Sequence, residues 1–305
     1  MARTLPTLPI RDERVRDIAM AAAKGGGGLV GAGTALAGAA VGVLAVQARL
    51  ARRAIGPRRT VPPYADGRYL PAGIDTARGT SLRLAVLGDS GAAGLGADDA
   101  ASTPGAILAT ALAAASGRTV VLTNTAVVGA RSSDLDSQVS RILAVRPHVA
   151  VILIGANDVT HLVPPQRSVR LLSDAVRRLR EAGVEVVVGT CPDLGTVRPL
   201  ATPLRQVARR MSRELAAAQA LGVREAGGRP VPLAEMLGRL FADDPDSFFS
   251  DDQFHPSTRG YAACAQAMLP EVLDAAGVRR EHPRAPRPLT NRVTRDHDGE
   301  HLVEM

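Results

Sequence analysis

Leu82-Arg83-Leu84-Ala85-Val86-Leu87 runs directly into Gly88-Asp89-Ser90-Gly91-Ala92-Ala93-Gly94-Leu95-Gly96. The first six residues form a short apolar run that stops at a glycine-rich turn, which reads as a buried strand. Three further runs repeat the pattern downstream: residues 119–122 (TVVL), 149–154 (VAVILI) and 184–188 (VEVVV), with a weaker fifth near 229–233. Helical patterns fall between them at 106–115, 133–144, 169–182 and 204–221, the last carrying Arg205, Arg209, Arg210 and Arg213 on a solvated face. Strand and helix alternate, so the expected fold is α/β, a three-layer, doubly wound parallel sheet whose ligand site lies at the C-terminal strand ends.

Composition narrows the function. Aromatic residues are 2% of the 305-residue chain and Trp is absent, so base stacking on nucleic acid is a poor fit. The net charge of +7 is also unevenly placed. Residues 1–60 hold ten basic and three acidic side chains, whereas 61–278 hold 21 and 22. A nucleic-acid-binding domain would carry the basic excess on its own face, and this one does not. Cys191 and Cys264 are too few for a disulfide scaffold, lack zinc or redox spacing, and read first as two buried thiols, with a pairing of the two in an oxidising compartment as the second reading.

The chain divides into four parts. Residues 1–54 form a basic segment around an uncharged Gly/Ala-rich stretch at 25–48, long enough to cross a bilayer but weakly hydrophobic. A membrane anchor or export signal ranks first there because Arg14, Arg16, Lys24, Arg49, Arg52 and Arg53 flank it. A helix lying on the domain competes, and with it a cytoplasmic location. Residues 55–80 read as a linker, 81–278 as the domain, and 279–305 as a charged, disordered tail. His282, His297 and His301 lie in that tail without metal-site spacing, and neither a metal nor an organic cofactor is implied.

Chemistry-bearing residues collect at the strand ends. Ser90 follows the first strand in a turn that matches neither a P-loop nor a dinucleotide fingerprint. Gly129 follows the second strand, where a residue without a side chain lets a backbone amide approach a ligand closely. Asn157 follows the third and offers an uncharged double donor, while its neighbour Asp158 reads as a cap for the next turn. Near the domain's end, Asp252 precedes His255 by three residues, a spacing that allows a carboxylate to accept from Nδ1–H and leaves Nε2 free to take a proton. Asp251 is the local rival for that carboxylate. His148 and His161 read as surface histidines, with pocket lining as a second reading of His161.

Gly88-Asp89-Ser90, the strand-end Gly129, Gly155-Ala156-Asn157-Asp158 and Asp252-Gln253-Phe254-His255-Pro256 together resemble the four sequence blocks of the SGNH hydrolases, the GDSL-like esterases and lipases. The resemblance spans roughly residues 82–270 and implies a flavodoxin-like sheet of order 2-1-3-4-5. It implies Ser90 as nucleophile, Asp252 and His255 as its triad partners, and the Ser90 amide, Gly129 and Asn157 as oxyanion donors. Gly91 stands where the literal motif has Leu, which points to a subgroup and leaves the acyl and alcohol parts of the substrate open. The expected activity is hydrolysis of a small-molecule, lipid or sugar ester through an acyl-enzyme. An acyltransferase with the same intermediate and a membrane-tethered, non-catalytic binding module are the alternatives.

Overall fold

The computed structural model describes residues 29–55, 61–71 and 80–278. The basic residues 1–28, parts of the expected linker and the charged tail 279–305 lie outside the described residues. In chain order the helices are α1 (Leu29–Ile55), α2 (Ser90–Ala93), α3 (Pro104–Ser116), α4 (Leu135–Leu143), α5 (Ala156–Thr160), α6 (Pro165–Glu181), α7 (Leu204–Glu225), α8 (Leu233–Asp243), α9 (Pro245–Phe248) and α10 (Thr258–Ala275). The strands are β1 (Gly67–Tyr69), β2 (Leu82–Gly88), β3 (Val120–Asn124), β4 (Val149–Leu153), β5 (Glu185–Gly189) and β6 (Arg229–Val231).

They form one sheet of order β1-β3-β2-β4-β5-β6. Strands β2 to β6 are parallel and reproduce the expected 2-1-3-4-5 order, with β2 central between β3 and β4. The difference is β1, which lies in the expected linker and pairs antiparallel with β3 at the sheet edge, Arg68 opposite Val121. Asp66 fixes this edge by accepting the Asn124 amide at 2.9 Å.

Alternation along the strands separates two cores. Val149, Val151 and Leu153 of β4 join Leu84, Val86 and Val187 against Leu108 and Leu112 of α3 and Met268 and Val272 of α10. The intervening Ala150 and Ile152 join Ala85, Leu87, Val186 and Val188 against α4 and α6, through Leu135, Val139, Ile142, Leu172, Val176 and Leu179. Every residue of β4 is buried, as a strand covered on both faces requires.

The stretch expected to enter a membrane is carried largely by α1, yet among the described residues no helix is long and apolar enough to cross a bilayer. Glycine and alanine supply helix length with little apolar surface. The helix instead meets the start of α7: the Gln47 side chain donates to the Thr202 carbonyl at 2.7 Å and accepts the Leu204 amide at 3.0 Å, and Ala51 is buried.

Core packing sets stability away from the strand ends. Leu112→Ala removes a fully buried side chain of α3 and is expected to cost ~2–5 kcal/mol, read as a lower urea midpoint at unchanged m-value.

Candidate active site

Parallel strands deliver their following loops to one sheet edge, and β2 does so through a tight reversal. Gly88 has φ +134°, and a Cβ there would stand 1.9 Å from the Leu153 carbonyl oxygen of β4. Only glycine fits. The Asp89 amide then donates to that same carbonyl at 3.1 Å, and the Asp89 side chain caps α2 by accepting from the Gly91 amide at 2.9 Å. Ser90 opens α2, so its amide has no acceptor within the helix.

Ser90 Oγ lies 3.0 Å from His255 Nε2, and His255 Nδ1 lies 2.5 Å from Asp252 Oδ2. The second carboxylate oxygen of Asp252 accepts from Ser250 Oγ at 3.0 Å and from the Phe254 and His255 amides at 2.9 Å each. Partial burial alone would raise the Asp252 pKa, but the imidazole and these amides bring it down to about 2. A carboxylate held ionised selects the tautomer in which Nδ1–H donates to it and Nε2 accepts the serine hydroxyl. Asp251, the rival, is exposed.

This loop rests on the chain's four phenylalanines. Phe241 packs against Phe248 and Phe249 with ring centroids 5.4 and 5.1 Å apart, and the Phe254 ring stands edge-on to His255 at 4.9 Å. Tyr261, also buried, donates to the Leu95 carbonyl at 2.6 Å and ties α10 to the loop after Ser90.

Gly129, at φ +86°, lies in the loop after β3. That loop meets the turn before Ser90 where the Val127 amide donates to the Gly88 carbonyl at 3.1 Å. Asn157 Nδ2 donates to Ala130 O at 3.0 Å, which places Asn157 beside the Gly129 loop and leaves its second N–H uncommitted there. Asp158 does not cap its own turn. Its buried carboxylate instead accepts the Ser132 hydroxyl at 2.9 Å and the Ser132 amide, and Ser132 Oγ contacts Ser168 Oγ at 2.9 Å. The loops after β3 and β4 are thereby joined.

The other described histidines and the two cysteines lie outside the Ser90, His255 and Asp252 contacts. His148 accepts the Arg83 amide at 2.9 Å, and His161 is exposed, with Nδ1 2.8 Å from the Asn157 carbonyl oxygen. Cys191 and Cys264 are free thiols, Cys191 buried, and burial raises the pKa of both. Among the described residues no group of three or more His, Cys, Asp or Glu side chains is placed to hold a metal ion.

Residues 86–263 match the model of the GDSL-like lipase/acylhydrolase family, a span that holds Ser90, Gly129, Asn157, Asp252 and His255. The chain belongs to that family. Its GDSL-like membership makes it a carboxylic ester hydrolase. A relative from Mycobacterium tuberculosis, the GDSL-like esterase Rv1075c, is 41% identical over 256 residues, covering 82% of this chain and 81% of its own. Crystal structures share the fold at lower identity. TesA aligns at 21% identity and TM-score 0.51 over 63% of this chain and 97% of its own. LAE5, an α/β hydrolase from the metagenome of Lake Arreo, aligns at 21% and 0.51 over 70% and 99%.

One carboxylate beside the serine has the opposite character from Asp252. Burial raises the Asp89 pKa from 3.8 to about 6, against the Gly91 amide and the nearby His255, which lower it. Between those pH values the folded chain binds a proton that the unfolded chain has released, so this group's contribution to stability falls as pH rises from about 4 through 6. Asp89→Asn keeps an oxygen for the Gly91 amide and removes the charge. Urea unfolding at pH 4 to 8 is expected to show the variant gaining on the parent up to a plateau above about pH 6, on the order of 3 kcal/mol.

Proposed function

We propose that the protein hydrolyses carboxylic esters through a covalent Ser90 acyl-enzyme, with His255 as general base and acid and Asp252 as the carboxylate that orients it. The observation that carries this reading is the unbroken chain from Asp252 Oδ2 to His255 Nδ1 at 2.5 Å and from His255 Nε2 to Ser90 Oγ at 3.0 Å. As Oγ bonds to the ester carbonyl carbon, its proton passes to Nε2, and the carbonyl oxygen takes up negative charge. Collapse of that adduct breaks the ester C–O bond, and the departing alkoxide takes the proton from His255. Water then attacks the acyl carbon by the same route and releases the carboxylic acid and free Ser90.

The developing oxyanion is received by the Ser90 amide, the Gly129 amide and the second N–H of Asn157. Two features support this assignment: the Ser90 amide stands in the first turn of α2 without a helical acceptor, and Asn157 is oriented by its bond to Ala130. All three donors are neutral, so they stabilise an anion without competing for the serine proton. The substrate is a small-molecule ester, and the near-neutral charge of residues 61–278 gives no basis for a nucleic-acid partner.

Ser90→Ala is expected to abolish covalent labelling by a fluorophosphonate probe, and undiminished labelling refutes the assignment. Asn157→Ala is expected to lower kcat on p-nitrophenyl acetate by about 10²- to 10³-fold, the size of one lost oxyanion donor. Labelling of that variant should persist, since its nucleophile and base remain.

A further inference from the structure

Gln138 lies on α4 at the apolar face shared with Leu135, Val139 and Ile142, and it is completely buried. Its amide spends both of its functions on one residue. Oε1 accepts the Gly88 amide at 2.7 Å, and Nε2 donates to the Gly88 carbonyl at 2.9 Å. Gly88 is two residues before Ser90, at the point where β2 outruns its neighbour β3. The last bonds from that neighbour are Thr125 N–H to Val86 O at 2.9 Å and Val127 N–H to Gly88 O at 3.1 Å. Strand β3 thus supplies no carbonyl to the Gly88 amide, and the Gln138 side chain supplies it instead, acting as one peptide unit of a missing strand. From the other side, Leu153 O holds the Asp89 amide at 3.1 Å.

We propose that Gln138 is a positioning residue for the nucleophile, fixing the reversal at Gly88 so that Ser90 Oγ stays within 3.0 Å of His255 Nε2. The proposal rests on the reading of Ser90 as nucleophile. Gln138 does not touch the substrate; it acts through the backbone that carries Ser90. Such a role moves the chemical step and the reactivity of the serine while leaving substrate binding nearly unchanged.

Two variants test it. Gln138→Met keeps the volume and removes both hydrogen-bonding functions. It is expected to lower kcat and the fluorophosphonate labelling rate together, by about 10²-fold, with KM within about twofold. Leu112→Ala is the control for lost stability alone and is expected to label at the parent rate. Gln138→Glu restores the pattern only when protonated, its carbonyl accepting from the Gly88 amide and its O–H donating to the Gly88 carbonyl. Burial raises the pKa of a carboxyl group, so the ratio of variant to parent kcat is expected to rise as pH falls from 8 to 5. Division by the parent removes the pH dependence that the two enzymes share.

Parent-rate labelling by Gln138→Met overturns the proposal, as does an equal slowing in Leu112→Ala or a Gln138→Glu ratio flat with pH. If Gln138→Met does not fold, the pH dependence of Gln138→Glu decides. Persistent labelling of Ser90→Ala overturns the nucleophile assignment itself, whereas normal Ser90 dependence with unaffected Gln138 variants overturns only the positioning role.

Discussion

The close approach of Gly88 to Leu153 governs the site. A side chain at position 88 would overlap the β4 carbonyl, and without one the backbone at φ +134° turns away from the sheet in a single residue. That turn converts the end of a central strand into the start of α2 and lifts Ser90 clear of the two cores. Strand β4 uses the same device one position across the sheet. Gly155 has φ +136°, and a Cβ there would meet the Cys191 side chain at 2.9 Å, so helix α5, which carries Asn157, also leaves its strand abruptly. Gln219 on α7 braces this second reversal by donating to the Ile154 carbonyl at 3.1 Å and accepting the Cys191 amide at 2.7 Å. Two neighbouring strand ends are therefore each turned by a glycine and held by a buried glutamine amide.

Three carboxylates stand around these loops, and their surroundings separate them. Asp252 is half-buried but accepts four hydrogen bonds, which favour its ionised form. Asp89 and Asp158 are more deeply buried, and burial raises the pKa of each above the ordinary carboxylate value. Charge is thus held most firmly where it orients the imidazole. The aromatic residues follow the same economy, because a chain with 2% aromatics places all its phenylalanines beneath or beside the His255 loop.

Strands β2, β4 and β5 were legible because each is a short apolar run buried on both faces, and Ser90 stands just past the end of the first of them. What escaped reading had weak local signals. Gly67-Arg68-Tyr69 is three residues with no alternation, and it becomes a strand only because β3 offers an open edge. Helix α8 begins directly after the weak strand at 229–231, and its buried positions include Ala234 and Gly238, which add little to an apolar pattern. Gln138 did leave a trace, since a polar residue between Leu135, Val139 and Ile142 interrupts an otherwise apolar helix face. Its partner, a glycine backbone 50 residues earlier, is visible only in three dimensions.

The edge strand also bears on where the enzyme's structural unit begins. The family match starts at residue 86, inside β2, and leaves out β1 and α1. The similarity to the mycobacterial esterase covers 82% of the 305 residues, and a continuous span of that size cannot exclude Gly67–Tyr69. Strand β1 pairs with β3, and Asp66 holds the Asn124 amide while the Asn124 side chain donates to the Ala92 carbonyl at 2.9 Å. Ala92 belongs to the short helix that Ser90 opens. The segment ahead of the family core is thus connected to the helix of Ser90 through two hydrogen bonds at Asn124, so the unit that shapes the site includes that edge.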